Sequence, residues 1–247
     1  MHVLIANDDG IGACGIKALA QAFIDAGHRV SVAAPDTQRS AASHSITMFR
    51  PLMARPVEWP GAMAWSIDGT PADCVKLALD KLTGPVDVVV SGINDGYNIG
   101  TDVHYSGTVA AAMEGAFAGF PAIAVSVPFG RHDLCVAAAQ TALKAADRLY
   151  AKQLLPMTVL NINLPDVQLG ATRGERAAEL SRLRYDGAYL EQENPRVGKY
   201  YWLVGGAADE QEAGENDVTL LRKGFITYTV LNFDWTSRGA AERFLQE

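Results

Sequence analysis

The chain has 247 residues, 49% hydrophobic and 20% charged, with a formal net charge of −7. That length can bury one good-sized core, and the acidic balance argues against a protein that wraps duplex nucleic acid or an anionic membrane surface. No apolar run approaches the roughly 20 residues of a membrane span, and the N-terminus lacks the basic-then-apolar pattern of an export signal, so a cytoplasmic protein is expected. Cys14, Cys74 and Cys135 are odd in number and far apart. They read as reduced thiols, not as a disulfide frame or a zinc site.

In chain order, Val3 to Ala6 reads as a strand buried on both faces. "GIKALAQAFIDAG" has helical spacing and ends at Gly27, a helix stop. "HRVSVAAPD" reads as a second strand. "GTPADCVKLALDKL" opens with Thr70, Pro71 and Asp73, which suit the N-cap, first and third positions of a helix. "VDVVVSGIN" is a third buried strand, "SGTVAAAMEGAFAGF" a helix, "PAIAVSV" a strand, "DLCVAAAQTALKAADRLYAK" a long helix and "TVLNINLP" another strand. Repeated β-α units with short turns imply a Rossmann-like α/β fold, a mostly parallel sheet with helices on both faces.

After about residue 168 the pattern changes. "ELSRLRYDGAYLEQENPRVGKYYWLVGG" mixes strand and turn residues without a helical period, and "DVTLLRKGFITYTVLNFDW" reads as a strand pair or extended segment punctuated by Gly224. The expectation is one domain over 1–247, with an α/β core at 1–168 and a β-hairpin excursion and C-terminal arm at 169–247. Leu180, Leu183, Tyr185, Tyr189, Tyr200, Tyr201, Trp202, Phe225, Tyr228, Leu231, Phe233 and Trp235 are too many apolar groups for a hairpin to hide alone. An arm clasped between two copies would cover them.

The first strand ends in Asn7-Asp8-Asp9-Gly10. Two adjacent carboxylates repel, and a plain turn does not need them. In open α/β sheets ligands collect beyond the C-terminal ends of the strands. Asp8 and Asp9, the loop with Ser40 and the strand end with Asn94 deliver oxygen donors to that edge, a set suited to Mg²⁺, Mn²⁺ or another hard cation. In "SGINDGYNIGTDVHYSGTVAAAMEG", glycines allow close ligand approach, and Ser106-Gly107-Thr108 opens a helix whose free N–H groups suit phosphate. Each feature has a plainer reading: a capped turn for Asp8-Asp9-Gly10, a loop hydroxyl for Ser40, a turn former for Asn94, a capped helix start for Ser106, a bystander role for His44 and His104, a helix-surface or supporting charge for Glu114. Convergence of several loops on one edge favours a site.

The blocks "NDDG" (7–10), "APDTQRSAAS" (34–43), "GTPADCV" (69–75), "SGINDGYNIGTDVHYSGTVAAAMEG" (91–115) and "NINLP" (161–165) resemble the SurE family, metal-dependent 5′/3′-nucleotidases. The resemblance implies one divalent metal per subunit, Mg²⁺, Mn²⁺ or Co²⁺, on Asp8, Asp9, Ser40 and Asn94. It implies phosphate near Ser106, Gly107 and Thr108, with Asn98 of the same block joining the substrate-binding set. It also implies hydrolysis of nucleoside monophosphates, and in some members short polyphosphate, in a homodimer or homotetramer built through C-terminal arms. Asp8 or Asp9 would orient or deprotonate the attacking water, and which one stays open. The chain departs from the family pattern at Gly12-Ala13-Cys14-Gly15, where members usually carry His-Ala-Pro-Gly. It departs again at Ala41 and at Arg238, which stands where many members have histidine. Two rivals place an acid after the first strand: an aspartyl-phosphate phosphatase, which usually needs Asp-x-Asp spacing, and a phosphoacceptor module, about half this length and with a later strand-end lysine that this chain lacks.

Overall fold

The computed structural model describes residues 1–152, 157–168, 170–182, 187–204, 214–234, 236–237 and 239–245; Leu183, Tyr185, Trp235 and Arg238 lie outside them. Strand β1 (His2–Ala6) is buried along its whole length and lies inside the sheet between β2 (Arg29–Pro35) and β5 (Val88–Asp95). Its side chains alternate between two cores. Val3 and Ile5 pack under α1 (Cys14–Asp25) and α4 (Cys135–Lys152), whereas Leu4 and Ala6 pack toward α2 (Pro71–Leu77) and α3 (Gly107–Phe117). That two-sided burial is why the strand reads as a continuous apolar run.

The order in the nine-stranded sheet is β3 (Ala54–Val57), β4 (Ala62–Ile67), β2, β1, β5, β6 (Ala122–Val127), β7 (Thr158–Asn163), β11 (Ile226–Asn232) and β8 (Glu175–Ala177). Strands β4, β2, β1, β5, β6 and β7 run parallel, and β3 closes one edge antiparallel to β4. The chain runs from β1 through β2 to the edge at β3, turns back into β4 and then crosses to β5 on the other side of β1. The crevice beyond β1 and β5 is therefore the switch point where such sheets bind ligands. Strands β3 and β4 carry no clear sequence signal, because they are half-exposed and β3 contains Pro56, a residue confined to sheet edges.

Helix α2 starts as its residues predict. Thr70 and Asp73 form a reciprocal capping box with Pro71 at the first position, and Asp73 also accepts from the Thr47 N–H (2.9 Å) and hydroxyl (2.6 Å). Buried Asp73 loses solvation, yet these hydrogen bonds outweigh that loss and hold its pKa below the ordinary carboxylate value. The cap thus pins the loop that follows Ser40 to the helix.

In the tail, the expected strand pair at "DVTLLRKGFITYTV" is half wrong. Asp217–Arg222 is a short helix, α5, with a reciprocal cap between Asn216 and Thr219, and Gly224 (φ +86°) ends it in the left-handed region. The second half is β11 (Ile226–Asn232), which returns into the main sheet antiparallel to β7 and pairs with β8 (Glu175–Ala177). Leu180, Leu231 and Phe233 pack with α3, Tyr228 packs on the α1–α4 core, and Phe225 lies under Arg173 and Arg176. The hairpin β9 (Ala188–Asn194) and β10 (Gly198–Val204) forms a separate two-stranded sheet and leaves Tyr189, Tyr201 and Trp202 exposed.

Candidate active site

The turn after β1 is built by residues other than its aspartates. Asn7 is buried and bonded both ways to Gly10, donating to its carbonyl (2.9 Å) and accepting its N–H (3.2 Å). Gly10 takes φ +95°, a conformation closed to most side chains. The two carboxylates are therefore left over from turn formation.

Asp8 is 4% exposed and faces the start of α3. Its Oδ1 accepts from the Thr108 hydroxyl at 2.5 Å. A β-carbon on Gly107 would lie 2.8 Å from Asp8 Cβ and 3.0 Å from its Oδ2, so only glycine allows the helix this close. Ser106 caps the helix by accepting from the Val109 N–H (3.0 Å). The Asp8 carbonyl accepts the Arg39 N–H at 2.7 Å, which ties the Ser40 loop to β1. Asp9 accepts from the Asp95 N–H (3.1 Å) and from Gln38 Nε2 (3.4 Å), and Gln38 also donates to the Ser40 hydroxyl (2.9 Å). Asn94 donates through Nδ2 to the Gly96 carbonyl (2.8 Å), leaving its own carbonyl oxygen available.

Burial pushes the Asp8 carboxyl up to about 6; the Thr108 hydrogen bond opposes this and the neighbouring Asp9 adds to it. Burial likewise raises Asp9, with the Asp95 N–H acting against it. Neither carboxylate has an ion pair with lysine or arginine among the described residues. Two crowded, partly desolvated carboxylates with a hydroxyl and an amide oxygen nearby are chemically suited to a hard divalent cation. Among the described residues no group of three or more His, Cys, Asp and Glu is placed to hold a metal, so such a set would have to include the neutral oxygens of Ser40 and Asn94.

Asn98 is committed to the protein. Its N–H donates to Asn163 Oδ1 (3.0 Å), its Nδ2 to the Ser126 hydroxyl (2.8 Å), and its carbonyl accepts from Asn161 (2.8 Å) and Asn163 (3.0 Å). The buried asparagines of "NINLP" thus hold the glycine-rich loop to β6 and β7. His44 is hydrogen-bonded, as the plainer reading expects: its Nε2 meets Glu114 Oε1 at 2.7 Å and its ring stacks on Phe117. Glu114 also bonds Lys76 (3.2 Å), and the His44 hydrogen bond, ahead of its burial, holds it below the usual carboxylate range. His44 and His104 border a cavity of about 410 Å³ that reaches Ser106 and is otherwise lined mainly by Val109, Met113, Phe117 and Phe233. Sequence reasoning missed Gln38 and Asp95, although both stand inside quoted blocks. It also missed His132, which reaches Asp95 Oδ2 at 2.9 Å from a loop with no motif.

These features define a Rossmann-like α/β protein whose acid-bearing crevice lies at the topological switch point, against a helix N-terminus. The family model described as "Survival protein SurE" matches residues 3–187, and the chain belongs to the SurE family. It is 42% identical to the 5′-nucleotidase SurE of Synechococcus sp. (strain JA-3-3Ab), covering 98% of this chain and 95% of that protein. It is 45% identical to the 5′-nucleotidase SurE of Moorella thermoacetica, covering 96% and 92%. The crystal structure of the SurE protein from Aquifex aeolicus superposes with a TM-score of 0.84 at 30% identity, covering all of both chains.

Proposed function

We propose that the chain is a metal-dependent 5′-nucleotidase, a phosphoric monoester hydrolase that releases phosphate from nucleoside monophosphates. The observation that carries the site assignment is Asp8, buried and bonded to Thr108 where α3 begins. Family membership carries the reaction class.

In this reading Asp8, Asp9, Ser40 and Asn94 hold one divalent cation, Mg²⁺, Mn²⁺ or Co²⁺. When bound, that cation neutralises charge on the phosphoryl group and makes a nucleophile of water at neutral pH. The N–H groups and positive dipole end at Ser106, Gly107 and Thr108 receive the phosphoryl oxygens and stabilise charge that grows during displacement. Asp9, the less buried acid, has the access needed to orient the attacking water; Asp8 anchors. Asn98 contributes by fixing the loop that carries Asn94 and Gly100. The 3′-monophosphates and short polyphosphate are secondary substrates, the working form is a homodimer or homotetramer, and the enzyme acts in the cytoplasm. Among the described residues no helix is long and apolar enough to cross a membrane.

A panel of nucleoside 5′- and 3′-monophosphates, assayed with each metal and after chelation with EDTA, tests the proposal. Turnover of a 5′-monophosphate that EDTA abolishes and metal restores is expected; full turnover in chelator would refute it. An aspartyl-phosphate route is disfavoured by the Asp8 hydroxyl contact and by the adjacency of the two acids. Its signature, a trapped phosphoenzyme, should be missing.

A further inference from the structure

Asp9 also lines a second cavity, of about 240 Å³, together with Cys14, Gln38, Asp95, His132 and Cys135 among others. Helices α1 and α4 pack side by side on the same sheet face, and each begins at one of the two cysteines. Residues 121 positions apart in sequence thus both line one cavity wall, near enough for Cys14 to add to the upward shift of the Cys135 thiol. Cys14 is exposed, whereas Cys135 is 5% exposed and Cys74 is fully buried in the other core.

We propose that Cys14 and Cys135 are a vicinal thiol pair that a peroxide converts to a reversible disulfide, stapling the starts of α1 and α4 beside Asp9. The chemistry has an order set by access. Hydrogen peroxide reaches exposed Cys14 first; the Cys14 sulfur is oxidised to sulfenic acid, the O–O bond breaks and one water leaves. The Cys135 sulfur then attacks the Cys14 sulfur, its proton leaves with the departing hydroxide as a second water, and the S–S bond forms. Burial, ahead of the Cys14 contact, pushes the Cys135 thiol up to about 12. That keeps Cys135 from being the first thiol to react with peroxide, and its attack on the sulfenic acid requires its proton to leave. A dithiol reductant returns both thiols.

The test reads sulfur and needs no turnover. Full-length reduced protein is treated with hydrogen peroxide in the native state, unreacted thiols are capped, and non-reduced peptides are mapped by mass spectrometry. Two of the three thiols should be lost, with a Cys14–Cys135 cross-linked peptide that dithiothreitol dissolves and with Cys74 still free. In Cys135→Ala, peroxide should instead leave sulfenic or sulfinic acid on Cys14, and in Cys14→Ala Cys135 should stay reduced. Wild-type protein that yields only over-oxidised Cys14, with Cys135 capped as a free thiol, would overturn the proposal. So would a cross-link between different chains in place of one within the chain. Either result would leave the nucleotidase reading untouched.

Discussion

Asp8 is restricted by three neighbours in three ways: a hydroxyl from Thr108, a missing side chain at Gly107, and a backbone bond from Arg39. Asp8→Asn keeps the shape and removes the charge. It should lower kcat/KM by at least about two orders of magnitude while leaving the fold intact by circular dichroism; a variant within a few-fold of wild type would displace Asp8 from the site. Thr108→Ala should lower kcat/KM and weaken competitive inhibition by inorganic phosphate, whereas Thr108→Ser should retain most of both. Unchanged kinetics in the alanine variant would move the phosphate elsewhere. The raised Asp8 pKa fixes a sign for pH. Its folded value, about 6, lies above the ordinary 3.8, so the folded metal-free protein holds this proton more tightly than the unfolded chain. That contribution to stability is fully present below about 3.8 and is lost as pH rises through about 6. Melting curves in EDTA should show this loss in wild type and a smaller one, from Asp9 alone, in Asp8→Asn, and a divalent cation should reverse it. Most of the proposed site was legible as a candidate, because its residues stand at strand ends in unusual company. Gln38, Asp95 and His132 were not, since each acts by bonding another site residue and such contacts exist only in three dimensions.

Among the elements, the long ones with clean periods were readable. β1, β2, β5, β6 and β7 are buried on both faces, α1 and α4 have an apolar stripe, and the Thr70–Asp73 cap announced α2. The short or edge elements were not. β3 and β4 lack a two-sided apolar run, and the six residues of α5 are too few to show a helical period; Asn216, a cap residue before it, is the signal that could have marked it. Asp73 shows how one residue couples elements: it caps α2 and also binds Thr47, near the loop that presents Ser40. Asp73→Ala removes a helix cap and strands the Thr47 donors. It should destabilise the protein by about 2–3 kcal/mol in urea denaturation and raise the metal concentration needed for half-maximal activity. A loss below about 0.5 kcal/mol would mean that the loop is held from elsewhere.

At the scale of the molecule, the tail divides into a part that returns to its own sheet and a part that does not. β11 pairs with β7 in six register positions from Thr227 to Asn232, so cutting the chain near Gly224 would remove a sheet strand and could not test assembly cleanly. The unpartnered part is the hairpin. Trp202 pairs with Leu190 on one of its faces, and Leu203 with Tyr189 on the other. Trp202 is 61% exposed and Leu203 64%. A two-stranded ribbon can lay only one face on its own subunit, so apolar side chains on both faces call for another chain. A closed assembly with matched hairpins would satisfy them, and a two-fold axis is the simplest way to arrange it. Light scattering at micromolar concentration should therefore show a dimer or tetramer for the wild type. Trp202→Glu combined with Leu203→Glu, one change on each face, should shift it toward monomer without altering the melting behaviour of the core, because neither side chain belongs to a buried cluster. A wild-type monomer, or a double variant that keeps its full assembly, would show that the hairpin is not what joins the subunits.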